Sequence, residues 1–342
     1  MSALGVYSVP GDRRRIGVKV GDEIAEAGMV STLLEGESLS PLLEAGQPAW
    51  EEVLANVERA LPDLPRIPCV GATMHLPCLI GDYVDFYSSL HHAENVGRIF
   101  RPDSDPLPPN WRHLPIGYHG RSGTIAVDGA PIRRPAGQRG AGDFGPTQRL
   151  DFELEMGFVT GPGPGDIPVT EAENHIFGLL LVNDWSARDI QAWEYQPLGP
   201  FLGKSFATTI SPWVVPLRDL VDRRIQVSPQ KPTPLPYLLP PGPGIDLDLE
   251  VRLNGRVISR SNLRNLYWTM SQQLAHATSN GATIRAGDLF ASGTISGPTD
   301  DSLGCLLEIT QGEGPYLQDG DTVSFTAEGI DFGTCSGTIQ AD

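Results

Sequence analysis

The sequence predicts a β-rich α+β protein of 342 residues. Its 39 glycines and 31 prolines lie among many short apolar segments, which is typical of strands joined by turns and not of a helical bundle. A chain of this length has room for one large domain with a smaller one, or for two ordinary domains. It can therefore bury a substantial core, and we expect it to fold without cross-links.

The first 75 residues are predicted to form a small N-terminal domain. Residues Val6 to Ile24 have the pattern of a β-hairpin, because a segment of alternating polarity precedes a turn at Gly21-Asp22. Residues Ser31 to Leu61 are predicted to be helical. Pro65 and Pro68 then interrupt the pattern, so we divide the chain into residues 1–75 and residues 76–342.

Strands are expected to dominate from residue 76 onward. The apolar segment from Ile176 to Val182 predicts a buried strand. Ser186 and Asp189 then form the capping-box pattern of a helix that ends near Tyr195. The segment from residue 229 to residue 244 contains seven prolines, too many for a central strand, and is predicted to be an extended surface segment.

The composition argues against several classes of partner. A net charge of −17 at pH 7 opposes nucleic-acid binding, because such sites draw most of their affinity from clustered Lys and Arg. The sequence contains no apolar stretch of about 18 residues and no N-terminal signal-peptide core. The four cysteines have neither zinc-site spacing nor the density of a disulfide scaffold, which predicts reduced thiols. We expect a cytoplasmic protein that binds neither nucleic acid nor membrane.

One predicted strand carries an acidic face. Apolar and acidic residues alternate from Leu150 to Met156, so Asp151, Glu153 and Glu155 share one side of this strand. Carboxylates two residues apart on a strand lie about 7 Å from each other and repel by roughly 2 kcal/mol at an effective dielectric constant near 20. A divalent cation between them would reverse the sign of this energy. The alternative is an ordinary solvated strand face.

Two further acids, Asp85 and Asp184, stand beside apolar segments. Together with Glu153 and Glu155 they make four carboxylates available as oxygen ligands. A carboxylate set without nearby Cys or His favours a hard ion such as Mg²⁺ or Ca²⁺ over zinc. Each aspartate could instead be a cap or turn residue.

The predicted helix after Asp184 carries a polar face. Arg188, Gln191 and Tyr195 follow one another at intervals of three and four residues and so lie on one side of it. Lys204 follows in the same segment. These side chains could converge on one ligand beside Asp184, or they could form surface ion pairs.

Two adjacent histidines, His91 and His92, follow an aromatic segment. One of the two imidazoles could act as a base if a carboxylate fixed its tautomer and raised its basicity. Most single histidines in proteins have no such role.

Seven segments resemble the fumarylacetoacetase family, in the order in which the family has them. They are Gly81–Ser89, His92–Gly97, Pro115–Arg121, Leu150–Met156, Asn183–Gln191, Trp193–Ser205 and Ala291–Pro298. Such an ordered series is specific, whereas the acidic pair alone would also fit decarboxylases, isomerases and acylpyruvate hydrolases of the wider superfamily. The resemblance covers residues 76–342, and the first 75 residues match weakly.

The resemblance implies a fold and an activity. The fold is a small N-terminal SH3-like β-barrel in residues 1–75, followed by a large mixed β-sandwich roll of the fumarylacetoacetase C-terminal type, in a homodimer. The implied substrate is a small diketo acid, 4-fumarylacetoacetate, hydrolysed to fumarate and acetoacetate in the last step of phenylalanine and tyrosine breakdown. The alternatives are a hydrolase or decarboxylase of another oxo acid, such as an acylpyruvate or oxaloacetate, and a metal-binding protein without catalysis.

The resemblance also implies roles for individual residues. The implied metal ligands are Asp85, Glu153, Glu155 and Asp184, with Lys204 and Thr208 near a second ion. The implied catalytic residues are His92 as base, Glu308 that orients it, and Arg188, Gln191 and Lys204 that stabilise an oxyanion. The implied substrate-binding residues are Tyr87, Arg101, Tyr118, Gln191, Tyr195 and Thr294.

Three points stay open at this stage. The sequence does not select Mg²⁺ over Ca²⁺ or decide whether a second ion binds. His91 stands where the family usually has another residue, so it could share the role of His92. The net charge does not exclude an anionic substrate, because one divalent ion with Arg101, Arg188 and Lys204 would form a local positive pocket.

Overall fold

The computed structural model describes residues 3–341. Its strands are, in chain order, β1 (Leu4–Ser8), β2 (Arg15–Val20), β3 (Glu23–Glu26), β4 (Arg66–Pro68), β5 (Thr73–His75), β6 (Tyr83–Phe86), β7 (Gly117–His119), β8 (Ile125–Val127), β9 (Pro131–Arg133), β10 (Ala136–Gly140), β11 (Asp143–Pro146), β12 (Leu150–Asp151), β13 (Leu154–Thr160), β14 (Ile176–Asp184), β15 (Ser186–Ala187), β16 (Thr208–Ile210), β17 (Trp213–Pro216), β18 (Arg224–Ile225), β19 (Gly244–Ile245), β20 (Asp248–Leu253), β21 (Arg256–Asn262), β22 (Leu289–Ala291), β23 (Thr322–Ala327) and β24 (Cys335–Gln340). The α-helices are α1 (Ser40–Glu44), α2 (Gln47–Ala60), α3 (Leu90–Phe100), α4 (Arg188–Glu194), α5 (Leu202–Ser205), α6 (Met270–Thr278) and α7 (Leu306–Ile309). Short 3₁₀ helices span Thr32–Leu34, Leu61–Asp63, Ser122–Thr124, Ala172–His175, Leu217–Arg223, Pro236–Leu238 and Leu263–Asn265.

Two mixed sheets organise these elements. The larger has thirteen strands, with the main order β4-β3-β2-β1-β17-β14-β13-β22-β6-β7, and β5, β8 and β16 pair outside this path. The smaller has five strands in the order β21-β20-β23-β24-β9. Three two-stranded sheets, β10-β11, β12-β15 and β18-β19, complete the set. The prediction of a β-rich α+β protein is confirmed.

The N-terminal elements match the sequence predictions. Strands β2 and β3 pair antiparallel across a turn at Gly21, whose positive φ of 57° suits glycine because it has no Cβ. Helices α1 and α2 lie within the segment predicted to be helical. On the other side, β1 pairs with β17, so the N-terminal strands continue the large sheet.

Strand β14 is buried along its whole length, which confirms the predicted buried strand. Its side chains alternate between two apolar clusters. Leu179 and Leu181 belong to the cluster that includes residues of the five-stranded sheet, and Leu180 and Val182 belong to the cluster that includes α2. Because both faces are covered, every position of this strand is apolar up to its polar end.

The predicted acidic strand is interrupted. Strand β12 ends at Asp151 and β13 begins at Leu154. Between them, the N–H of Phe152 donates to Asp151 Oδ1 (2.8 Å) and the N–H of Glu153 donates to Asn183 Oδ1 (3.2 Å). The alternation of the sequence does not reveal this break, because side-chain acceptors replace strand partners there.

The capping-box prediction was wrong, although the helix itself is present and ends next to Tyr195 as predicted. Ser186 lies in β15, and its hydroxyl donates to the carbonyl of Asp184 (3.0 Å). Asp189 accepts hydrogen bonds from Thr147 and from the N–H of Gln148. Ser186 is instead part of a strand that pairs with β12, and Asp189 bonds to Thr147, 42 positions away, so tertiary contacts override the local cap pattern.

Two other predictions concern the chain surface and the thiols. The proline-rich segment is extended and largely exposed, with Gln230, Pro234 and Leu238 buried as anchors, as predicted. All four cysteines are free. Within residues 3–341, no helix combines the length and the apolar character needed to cross a membrane.

Candidate active site

Four carboxylates meet at one end of the large sheet. Asp85 lies in β6, Glu155 in β13 and Asp184 at the end of β14, while Glu153 precedes β13. One oxygen of each lies within 4.8 Å of the corresponding oxygens of the other three. All four residues are buried, with at most 5% exposure. These acids therefore do not form a solvated strand face.

The cluster fits a divalent cation. Within the described residues, Asp85 Oδ1 and Glu155 Oε1 are buried and have no hydrogen-bond partner. Burial raises the pKa of Asp85, and the charge of Asp184 raises it further. Burial and then the charges of Asp85 and Asp184 raise the pKa of Glu155 in the same way. Unpaired buried acid oxygens are costly, and a hard cation is the partner that suits an all-oxygen set.

Lys204 is a counter-charge within this cluster. Its Nζ donates to Glu153 and, at 2.7 Å, to Asp184 Oδ2. Burial lowers the pKa of Lys204, but Asp184 and Glu153 outweigh it, and the net shift is upward. A protonated ammonium has no lone pair for a metal, so Lys204 would act beside an ion and not as its ligand. Thr208 Oγ1 lies 3.5 Å from Asp184 Oδ1.

Glu153 behaves differently from its three neighbours. Its carboxylate accepts a hydrogen bond from Arg188 Nη1 (2.7 Å) and another from Lys204 Nζ. Burial raises the pKa of Glu153, but the charges of Lys204 and Arg188 outweigh it and lower the pKa overall. Glu153 is thus held ionised by two cations, Arg188 on α4 and Lys204 on α5.

His92 and Glu308 form a buried pair although 216 residues separate them. His92 Nδ1 lies 2.7 Å from Glu308 Oε2, and Glu308 also accepts from Asn95 Nδ2 (2.9 Å) and Ser296 Oγ (2.7 Å). Burial raises the pKa of Glu308, but His92 and these hydrogen bonds lower it to about 2. An ionised Glu308 fixes the proton on Nδ1, which leaves Nε2 of a neutral His92 as the acceptor.

A cavity of about 370 Å³ joins the pair to the cluster. Its walls include most of the residues selected from the sequence, namely Asp85, Tyr87, His92, Arg101, Tyr118, Glu153, Arg188, Gln191, Tyr195, Lys204 and Thr294. Four others, Glu155, Asp184, Thr208 and Glu308, are buried next to it and contact its lining residues or their neighbours. The tertiary structure therefore brings the whole predicted set to one place.

Several lining residues have contacts that bear on binding. Tyr118 OH donates to Asp184 Oδ2 (2.9 Å), so this tyrosine touches the carboxylate cluster. Pro106 O accepts from Arg101 Nη2 (2.6 Å), which fixes one edge of that guanidinium. Within residues 3–341, Thr294 Oγ1 and Arg188 Nη2 are buried without a partner. Each group therefore keeps hydrogen-bonding capacity that no described residue uses.

His91 points elsewhere. It lines a separate depression together with Arg98, Thr299 and Gln311. In the described part of the chain, it is not among the residues that line the cavity above the carboxylates. Of the two adjacent histidines, the geometry thus places His92 next to the cavity.

Sequence reasoning assigned no role to three residues that contact this site. Asn95 follows His92 by three positions on α3, so helical spacing could have placed it on the same face. Ser296 lies within the family-like segment Ala291–Pro298, but only the structure shows that its hydroxyl donates to Glu308. Asp151 was identified as part of the acidic face, yet its partners are distant in sequence.

A buried carboxylate set that fits a divalent cation, beside a histidine oriented by a glutamate, is an arrangement typical of metal-dependent hydrolases. The sequence profile of the family described as "Fumarylacetoacetate (FAA) hydrolase C-terminal" matches residues 83–340. The chain belongs to this family.

Curated relatives are similar over nearly their whole length. The fumarylacetoacetase of Bos taurus is 46% identical, with 98% of this chain and 94% of the relative covered. The fumarylacetoacetase of Arabidopsis thaliana is 45% identical, with 95% and 91% covered. The Bos taurus alignment extends over 393 residues against 342 in this chain, so the relative contains segments that this chain lacks.

Solved structures share the fold. A fumarylacetoacetate hydrolase from psychrophilic Exiguobacterium antarcticum superposes with a TM-score of 0.66 at 21% identity, covering 100% of both chains. A maleylpyruvate hydrolase from Sphingobium sp. SYK-6 in complex with manganese (II) ion and pyruvate gives 0.62 at 17% identity, covering 100% of this chain and 99% of that one. At these identities the likeness concerns the fold alone.

Proposed function

We propose that this chain hydrolyses a carbon–carbon bond of 4-fumarylacetoacetate to give fumarate and acetoacetate, the last step of phenylalanine and tyrosine breakdown. One observation carries the proposal: the His92–Glu308 pair and the four-carboxylate cluster border one cavity. Identity of 46% to a fumarylacetoacetase over nearly the full chain supports the choice of substrate.

The cluster formed by Asp85, Glu153, Glu155 and Asp184 would hold the cation, for which we propose Mg²⁺ or Ca²⁺. When bound, such an ion polarises a carbonyl oxygen and stabilises negative charge that develops on it. Lys204 and Thr208 are the residues that we propose beside any second ion.

His92 is the general base in this proposal. Its Nε2 takes a proton from a water molecule, while Glu308 holds the Nδ1–H and stabilises the imidazolium that forms. The water oxygen attacks the carbonyl carbon on the fumaroyl side. Arg188, Gln191 and Lys204 donate to the oxyanion, and Arg188 Nη2 is suited to this because it has no partner among the described residues.

The second half of the reaction breaks the carbon–carbon bond. Its electron pair passes to the methylene carbon of the leaving acetoacetate. The proton on Nε2 of His92 is then transferred to that carbon, which balances the reaction and restores the neutral base. The products are two carboxylic acids with no net change in oxidation state.

The remaining cavity residues bind the substrate's polar ends. Arg101 pairs with a terminal carboxylate, since a guanidinium can donate two parallel hydrogen bonds. Tyr87, Tyr118, Tyr195 and Thr294 contact the other oxygen atoms. Their neighbours Val96, Phe100, Pro108 and Ile116 form apolar walls for the hydrocarbon part of the substrate.

We also propose the domain arrangement and assembly that the family resemblance implies. Residues 1–75 form an SH3-like domain before a catalytic domain of residues 76–342. The chain acts as a homodimer in the cytoplasm. Exposed apolar side chains beside the cavity, such as Leu198 at 95% and Phe201 at 67% exposure, support a protein partner surface there. Light scattering on the protein as it elutes from a size-exclusion column would measure the oligomeric state.

A direct assay tests the function. Loss of the diketo-acid absorbance is followed with the purified protein, after EDTA treatment and after Mg²⁺ or Ca²⁺ is restored. We expect turnover that EDTA abolishes and the ion restores; full activity after thorough metal removal would contradict the mechanism. Comparing turnover of an acylpyruvate and of oxaloacetate tests the alternative that another oxo acid is the substrate.

A further inference from the structure

Asp151 is a fully buried carboxylate to which the proposed mechanism assigns no role. Its Oδ1 accepts from the N–H groups of Phe152 (2.8 Å) and Leu306 (2.7 Å). Its Oδ2 accepts from the N–H of Leu307 (3.0 Å) and from Arg188 Nε (2.8 Å). The carboxylate therefore joins the end of β12, the start of α7 and the side chain of Arg188.

The first consequence concerns Arg188. Asp151 holds its Nε, and Glu153 holds its Nη1 at 2.7 Å. A planar guanidinium held at two of its three nitrogens has no freedom to turn, so the position of Nη2 is fixed too. Within residues 3–341 this Nη2 is buried and lacks a partner, on a residue that lines the cavity. Asp151 thus helps to fix the guanidinium from which the proposed oxyanion would take a hydrogen bond.

The second consequence concerns Glu308. Helix α7 has four residues, and its N-cap residue, Cys305, makes no side-chain capping bond. The first N–H groups of a helix have no acceptor within the helix. Asp151 supplies acceptors for the N–H groups of Leu306 and Leu307 from more than 150 positions away. The same short helix carries Glu308, so the carboxylate of Asp151 also fixes the residue that orients His92.

We propose that Asp151 is a positioning residue, which holds the Arg188 guanidinium and the helix of Glu308 at one fixed spacing. Asp151 thereby fixes the position of Arg188, the proposed oxyanion donor, relative to His92, the proposed base that Glu308 orients. The inference rests on the proposed function for the step that it affects, whereas the four hydrogen bonds do not depend on the substrate.

The variant Asp151→Asn tests the proposal in the full-length, metal-loaded protein. Asparagine keeps the shape but removes the charge and replaces one acceptor oxygen by an amide. We expect kcat for 4-fumarylacetoacetate to fall about a hundredfold with KM changed less than about threefold, because a displacement near 1 Å at a reacting group costs this much. A kcat within about twofold of wild type would overturn the proposal.

A matched control is Asp128→Asn. Asp128 accepts hydrogen bonds from Ser336 (N–H and Oγ, both 2.7 Å) and from Thr334 Oγ1 (2.9 Å), and it does not line the cavity among the described residues. We expect this variant to lose thermal stability and to keep kcat within about twofold. Asp128 is half-buried and, like Asp151, accepts several hydrogen bonds, so this variant shows what the loss of such a carboxylate does when it acts on structure alone.

Double-mutant cycles separate positioning from general destabilisation. If Asp151 acts through Arg188 and Glu308, its substitution costs less in an Arg188→Ala or a Glu308→Gln background, and the losses in kcat do not multiply. Losses that multiply fully in both backgrounds would assign a structural role and refute the proposal. If circular dichroism shows Asp151→Asn unfolded, Asp151→Glu, which keeps the charge on a longer side chain, replaces it under the same criteria.

Amide hydrogen exchange gives a readout that needs no substrate. The N–H groups of Leu306 and Leu307 should exchange faster in Asp151→Asn than in wild type, and at the wild-type rate in Asp128→Asn. Unchanged exchange would refute the link to α7. A wild-type protein that does not hydrolyse 4-fumarylacetoacetate would refute the proposed function alone, whereas an active wild type with an equally active Asp151→Asn would refute only the positioning role.

Discussion

Replacing Asp85 by Asn should make the metal-free protein more stable and the metal-treated protein less stable than wild type. Asp85 is buried in a cluster whose carboxylate oxygens lie within 4.8 Å of one another. Two unit charges at that distance repel by about 3.5 kcal/mol at an effective dielectric constant near 20. Uptake of protons and the ammonium of Lys204 relieve part of this, so we expect a gain of about 1–2 kcal/mol without metal.

The stability difference between Asp85→Asn and wild type changes sign when a cation binds. A ligand at a hundred times its dissociation constant stabilises the folded protein by about 2.7 kcal/mol. The variant lacks one of four carboxylates, including an oxygen with no partner among the described residues, so it should lose most of this increment. At roughly 1–2 °C per kcal/mol for a chain of this length, the melting curves of the two proteins should therefore change order between EDTA and Mg²⁺ or Ca²⁺.

Thermal unfolding followed by fluorescence measures both effects, with the cation titrated from EDTA upward. The exposed Asp63 provides the control, since Asp63→Asn removes the same charge from the acidic chain outside the cluster and should leave both melting temperatures nearly unchanged. An Asp85→Asn variant that shows the full wild-type rise on metal addition would refute the reasoning, because the cluster would then not be the metal site.

Three further predictions concern the base, its partner and the substrate. His92→Ala should lower kcat at least about a hundredfold and leave the metal-induced rise in melting temperature unchanged. His91→Ala should keep kcat within about twofold. Equal losses of kcat in the two variants would mean that the wrong histidine was chosen as the base. The pKa of Glu308 is lowered from 4.5 to about 2, so its ionised form contributes roughly 3 kcal/mol of stability above pH 4.5 that is lost as the pH falls towards 2. In urea unfolding, the stability difference between wild type and Glu308→Gln should be constant above that pH and smaller by about 1 kcal/mol near pH 3.5; a difference independent of pH would contradict the role of the charge. Arg101→Leu should raise KM at least about tenfold and change kcat less, which steady-state kinetics would check, and an unchanged KM would remove Arg101 from substrate binding.

Local patterns predicted local structure well. The turn at Gly21 and the buried strand β14 follow from backbone freedom and from uninterrupted apolar sequence, which act over a few neighbouring residues. The failures occurred where distant groups compete for a side chain. Ser186 and Asp189 match a capping box, but Ser186 pairs with Asp151 across strands β12 and β15, and Asp189 bonds to Thr147. At the break after Asp151, the side chain of Asn183 likewise accepts the N–H of Glu153 from 30 positions away.

By itself, the sequence determined which chemistry is available: four acids suited to a hard cation, two adjacent imidazoles and a set of cations near Asp184. Motif order determined the family as well. The family resemblance pointed to His92 and Glu308, but only the tertiary structure shows that His92 and not His91 borders the cavity, and that Glu308 lies beside His92 across 216 positions of chain. The reason is that the burial and pairing of these side chains depend on how strands from distant segments lie side by side. The spacing of residues within one segment does not predict that arrangement.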